Sequence, residues 1–206
     1  MNTNVLKRFI IYMAIATFVM FTVWAFVRSY MNRPPGDYET EVCDIRLKDK
    51  LYDEAMAAAN KALGKTPNHR GAIMCKALIY ISQKDYINAT NELNYLIKYL
   101  ESNLETDDLT GIGTLAAAYA NRGIIKDRSK DYEGALADYV KALGIDHESV
   151  AGPGLGTVIL NYKYKSSSVK ERALYLNEQL QLPEAERVLS IKELDEGQVM
   201  HKPGKL

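Results

Sequence analysis

The chain has 206 residues, 47% apolar and 25% charged, an ordinary globular composition that excludes disorder as its main state. Its 26 Lys and Arg balance 26 Asp and Glu, which argues against a nucleic-acid partner, since that class of binder carries a basic excess. Two Cys and three scattered His exclude a disulfide scaffold and a four-Cys metal centre.

The aromatics divide the chain in two. All four Phe and the single Trp fall within the first 27 residues, and the remainder has Tyr alone. After a short tail (1–8), Phe9 to Val27 runs 19 residues without a charge. As a helix it would be about 28 Å long, close to the roughly 30 Å of a bilayer core. Its ten Phe, Ile and Val would supply roughly 3–6 kcal/mol toward insertion. Lys7 and Arg8 precede the run, Arg28 and Arg33 follow it, and Trp24 and Tyr30 stand where interfacial aromatics belong. The run is longer than a signal-peptide apolar region, and Val27-Arg28-Ser29-Tyr30 is a poor cleavage site. The sequence therefore predicts an uncleaved transmembrane helix over 9–29, touching lipid through 9–27. The short tail favours an inside N-terminus. In a bacterium this makes a single-pass inner-membrane protein with its C-terminal domain in the periplasm. The span has no small-xxx-small pair, so self-association through it is not indicated. Residues 30–36 end in Pro34-Pro35-Gly36, which cannot continue a helix, and are expected to form a hinge.

The soluble part repeats itself. Leu51–Leu63, Asp85–Ile97 and Asp131–Leu143 align, each with a Tyr (Tyr52, Tyr86, Tyr132) followed by Ala three residues later. Offsets of three and four put Tyr52, Ala55, Ala59 and Ala62 on one helix face, where small residues admit a close neighbour. Another helical pattern lies upstream: Ile73, Lys76, Ala77 and Tyr80 in the second unit, and Tyr119, Arg122, Gly123 and Lys126 in the third. Each unit reads as a helical hairpin that must stack on its neighbours to bury its apolar face.

At these residues the chain resembles the tetratricopeptide repeat, over roughly residues 37–147. The third unit matches best, with Tyr119 in the large aromatic place and Gly123 in the small one. Pro67 takes the helix-ending place in the first unit. The first unit departs by having Glu39 for an aromatic and Cys43 for Gly or Ala. The second lacks a terminal Pro and carries twelve extra residues, read as a second helix through Leu100, a turn near Asn103 and a cap around Thr106-Asp107. Beyond His147, residues 148–195 read as a degenerate fourth unit plus capping helices. Val158–Tyr164 reads as a helix start, Ser167 or Ser168 as the cap of a helix through Leu180, and Pro183 as the start of a last helix to about Leu194. Residues 196–206 read as a loose tail. The expected fold class is thus all-α: a solenoid of antiparallel hairpins behind one transmembrane helix.

Chemistry-bearing motifs are few. Gly111-Ile-Gly113 has no preceding strand, so it is read as a helix start rather than a dinucleotide loop. Gly152–Gly156 lacks the Lys-Ser/Thr of a phosphate loop. The sequon Asn88-Ala89-Thr90 is expected within a packed helix. Cys43 and Cys75, on adjacent first helices, are either two buried thiols or a disulfide. No nucleophile–base or paired-carboxylate spacing stands out, so neither catalysis, metal nor cofactor is expected. The resemblance implies instead a groove lined by first helices, carried over to Met74, Leu78, Ile81, Ala117, Ala120, Ile124 and Arg128, with Asp44 and Lys48 more weakly. The two-cation carboxylate clamp of some relatives is missing, because Thr40, Asp44, Cys75, Ala117 and Asn121 hold those places. The function so implied is that of a membrane-anchored scaffold or assembly factor that binds protein partners of a membrane or envelope complex. The alternative is a stoichiometric accessory subunit with its span embedded in that complex.

Overall fold

A computed structural model describes residues 3–150 and 168–191. Among them every regular element is a helix and there is no strand. Helix α1 (Thr3–Met31) starts before the expected span and ends two residues beyond it. It is the one helix among the described residues long and apolar enough to cross a membrane, and the domain buries none of it. Thr17 and Thr22 donate their hydroxyls back to the carbonyls of Met13 and Val19, both at 2.8 Å, so neither leaves a donor unsatisfied on this apolar helix. The Arg28 guanidinium lies over the Trp24 ring at 5.0 Å.

Three hairpins follow: α2 (Asp37–Lys48) with α3 (Tyr52–Lys65), α4 (Arg70–Ser82) with α5 (Tyr86–Asn103), and α6 (Leu109–Arg128) with α7 (Tyr132–Ile145). The partners run antiparallel. In the first hairpin Arg46 meets Glu54 and Glu39 meets Lys61; in the third Arg122 meets Asp138 and Lys126 meets Gly134. The first helices also touch in series, α2 on α4 and α4 on α6.

The three hairpin turns share one backbone. Lys50, Lys84 and Lys130 sit at φ of 60°, 62° and 66°, and the next N–H in each donates five residues back, to Arg46, Tyr80 and Lys126. Asp85 and Asp131 then cap the second helices by accepting from the N–H groups of Asn88 and Gly134. Leu51 has no side chain for that task, so the first hairpin lacks this cap.

Packing divides the core in two. Around the first hairpin it is small: Cys43, Ala55, Ala59, Cys75 and Ile79. Cys43 and Cys75 are joined in a disulfide that ties α2 to α4. The larger cluster runs from α4 to the C-terminal elements and includes Leu93, Leu96, Ile124, Tyr139 and Leu176. Gly123 is forced by packing, because a Cβ there would lie 2.6 Å from the Tyr139 ring. The long second hairpin closes with α5 ending at Asn103, and α6 is capped by Asp108 rather than Thr106-Asp107. That choice follows from an acceptor in place: Asp108 Oδ1 takes the Gly111 N–H at 2.8 Å.

Past the short α8 (His147–Val150), α9 (Val169–Leu180) packs on α7. Ser168 and Glu171 close a reciprocal capping box at its start. Pro183 does not open the expected long helix; only a single 3-10 turn, Glu184–Glu186, forms. The backbone beyond it is held elsewhere. Tyr175 donates to the Val188 carbonyl, Gln179 Oε1 accepts the Val188 N–H at 2.8 Å, and Arg172 donates to the Leu189 carbonyl at 2.9 Å. The expectations for Gly152–Gly156, Val158–Tyr164 and the 196–206 tail lie outside the described residues.

Candidate interaction cleft

The stripe assigned to the groove is buried over much of its length. Met74, Leu78, Ile81, Ala117, Ala120 and Ile124 are all 4% exposed or less and belong to the large core cluster. Val150, Val169, Ala173 and Leu176 share that cluster, so these six side chains are core, not an open wall. Their apolar character is the reason, since a row of such residues gains most by leaving water. Arg128 alone of the set is exposed. Lys48 is exposed at the end of α2.

The same stripe is open at its other end. Stepping back along α6 from Ala117 by three and four gives Thr114 and Thr110; stepping back along α4 from Met74 by three gives Gly71. These residues line a cleft of about 750 Å³ together with Thr40, Glu41 and Asp44 of α2. Tyr99, Asn103 and Leu104 close one side from the end of α5, and Arg33 and Pro34 bring the cleft to the joint with α1. Three successive first helices thus present a polar cleft at their N-terminal ends and apolar core farther along. Asp44, assigned weakly from sequence, lies in it.

Two ion pairs and a His–Asp hydrogen bond organise the cleft. Arg33 meets Glu41 at 2.9 Å and His69 Nε2 meets Asp37 at 2.8 Å. Arg70 bridges from α4 to Asp108 at the start of α6, and its hydrogen bond holds the Asp108 carboxyl below the usual carboxylate range. The lining carries four carboxylates, Asp37, Glu41, Asp44 and Asp108, against the guanidinium groups of Arg33 and Arg70.

The expected hinge is tied to this cleft. Thr66 Oγ1 donates to the Pro35 carbonyl at 2.7 Å, and Thr40 Oγ1 to the Gly36 carbonyl at 2.9 Å. Gly36 adopts φ +101°, and a Cβ there would lie 2.8 Å from the His69 ring. Glycine meets both demands, and Pro34-Pro35-Gly36 is a fastened joint. Beside it Glu39, 4% exposed, receives Lys65 at 2.7 Å and Lys61 at 3.6 Å. The Lys65 hydrogen bond holds the Glu39 carboxyl below its ordinary value.

A second polar group braces α5, α6 and α7. The Tyr119 hydroxyl donates to Glu101 at 2.5 Å, and burial, then that carboxylate, push its pKa up to about 12. Arg122 lies over the Tyr119 ring at 5.1 Å, forks onto Asp138 at 2.8 and 2.7 Å and reaches Asn94 at 2.7 Å. Every member is engaged with another, which marks a structural network. Gly111 and Gly113 lie in the first turns of α6, and Asn88 is exposed on the first turn of α5.

Sequence reasoning missed Arg33, Asp37, His69, Arg70 and Asp108. Their one signal was the run of helix-start residues at three hairpin boundaries, which says where helices begin but not that the beginnings converge. No protein-family model matches the chain, and no curated protein matches it.

Proposed function

We propose that this chain is a single-pass membrane protein of the tetratricopeptide-repeat kind, whose hairpins form a short solenoid that holds protein partners at the membrane surface. It serves as a scaffold or assembly factor for a membrane or envelope complex, by binding rather than by catalysis. One observation carries this reading: a cleft of about 750 Å³, built by three consecutive first helices, opens beside the joint to the apolar helix. A partner segment held there stays close to the bilayer, where the anchor raises its local concentration. Three identical hairpin turns and first helices in serial contact support the repeat. The Cys43–Cys75 bond belongs to the chemistry of an oxidising compartment, which supports a domain on the outer face, the periplasm in a bacterium.

The cleft is tested at positions that carry no core packing. Thr110 and Asn103 are exposed, so Thr110→Arg with Asn103→Arg fills the cleft and leaves the fold intact by circular dichroism. Detergent-solubilised wild type should recover a discrete partner that the variant loses; the same partner set from both rejects the cleft. The fastened joint favours a second reading, an accessory subunit seated permanently through its span, since a fixed joint suits a fixed seat. Exchange of residues 9–27 for an unrelated apolar helix should be tolerated by the scaffold and should abolish assembly of the subunit.

A further inference from the structure

The cleft rests on a covalent layer. Thr40 of α2 and Gly71 of α4 both line it, and a Cβ on Gly71 would lie 2.9 Å from Thr40 Cγ2. Stepping on from Thr40 by three and from Gly71 by four, one helical turn in each case, gives Cys43 and Cys75. The disulfide therefore lies one turn beyond the contact between two of the cleft's three first helices. Around the bond the buried core is Ala55, Ala59 and Ile79 alone, so apolar packing adds little to it.

Both Cys are 0% exposed, so a reductant reaches them only when a neighbouring element opens. Helix α3 covers them through Ala55 and Ala59. It is also the one of the three second helices whose start has no side-chain cap. Its first residue outside the helix, Leu51, has φ −85° and ψ 69°, nearly the backbone of Asp85 (−82°, 75°) and Asp131 (−85°, 73°). Those two carboxylates accept an N–H three residues on, and a leucine cannot. The bond thus lies under the helix start that frays most readily.

We propose that Cys43–Cys75 is a redox latch on the cleft, and that the uncapped start of α3 is the gate through which a dithiol reaches it. One thiolate of the dithiol attacks a Cys sulfur, the S–S bond breaks and a mixed disulfide forms. The second thiolate displaces the protein from it, so the dithiol leaves oxidised to its own disulfide and its two protons end on Cys43 and Cys75. With the bond closed, the α2 wall of Thr40, Glu41 and Asp44 is fixed against α4. With it open, that wall loosens and the cleft loses its shape. Control of partner binding by this latch rests on the reading of the cleft as the partner site; the latch itself is tested without a partner.

The full-length chain in detergent micelles, free of denaturant, is exposed to dithiothreitol, alkylated at intervals and weighed. Leu51→Asp should slow the appearance of the two thiols about fivefold by supplying the missing cap. Leu51 is 40% exposed, so the change removes little packing. Asp131→Ala, which uncaps α7 instead, should leave the rate unchanged. Reduction of the wild type should quicken amide exchange at residues 40–44 about tenfold and leave α7 as it was, and re-oxidation should restore it. Four outcomes overturn the proposal: reduction only in denaturant, an unchanged rate in Leu51→Asp, faster reduction in Asp131→Ala, or equal exchange at residues 40–44 in both redox states. A chain that passes these tests yet binds no partner in either state keeps the latch and loses the partner site.

Discussion

The two ends of the domain solve one packing problem by different means. At the first hairpin the shared core is Ala55, Ala59, the two Cys and Ile79, and the helices are held by a covalent bond and by Glu39 with its two lysines. At the third hairpin the core contains Tyr139, Ile124 and Leu176, and the closing helix α9 is held by Arg172. That guanidinium is 1% exposed and forks onto Asp127 at 2.7 Å twice, while Tyr139 donates to the same carboxylate at 3.2 Å. Glu39 and Cys43 thus supply an ion pair and a covalent bond in the first hairpin. They hold helices together where the apolar core is small.

That contrast can be broken at four places. The largest effect is expected at Arg172→Ala, which strands a buried Asp127 and should cost about 3–5 kcal/mol in urea unfolding, with early proteolysis of α9. Arg172→Met with Asp127→Leu should recover most of it; if Arg172→Ala melts like wild type, the far end is not held by this pair. Cys43→Ala with Cys75→Ala should cost about 2–4 kcal/mol, and amide exchange should quicken first in α2 and α3. Uniform quickening would mean that the ends are not separate. Gly123→Ala, driven into the Tyr139 ring, should cost about 1–3 kcal/mol and leave exchange in the first hairpin untouched. The smallest effect is with acid. Glu39 and Asp108 have depressed carboxyl pKa values, so their contribution is present above the ordinary values of 4.5 and 3.8 and is lost as pH falls below them. The melting temperature should decline over that range, and Glu39→Gln should flatten the decline; an unchanged slope counts against the Glu39 lysine pair.

Much of the fold was legible because it is set locally. The helical class, the apolar leading helix and the starts of the second helices at Tyr52, Tyr86 and Tyr132 follow from composition, 3.6-residue periodicity and turn chemistry. Ser168 with Glu171 is a local signal too. What was not legible depends on distant partners. Nothing near Arg172 announces Asp127, 45 residues away. Pro183 satisfies the rule for a helix start, but hydrogen bonds from Tyr175, Gln179 and Arg172 hold the following backbone in another shape. The cleft failed for a related reason. Residue type marks Met74, Leu78 and Ile124 as apolar but cannot distinguish a filled groove from an open one, whereas the polar Thr110, Thr114 and Asp44 line the cleft.

The left-handed lysines of the three turns leave this protein a reserve. A side chain at that φ carries about 1–2 kcal/mol of local strain that glycine would not. The strain recurs at Lys50, Lys84 and Lys130, outside the cleft lining. Three matched glycine replacements would harden the molecule while leaving the cleft through which it is proposed to work as it is.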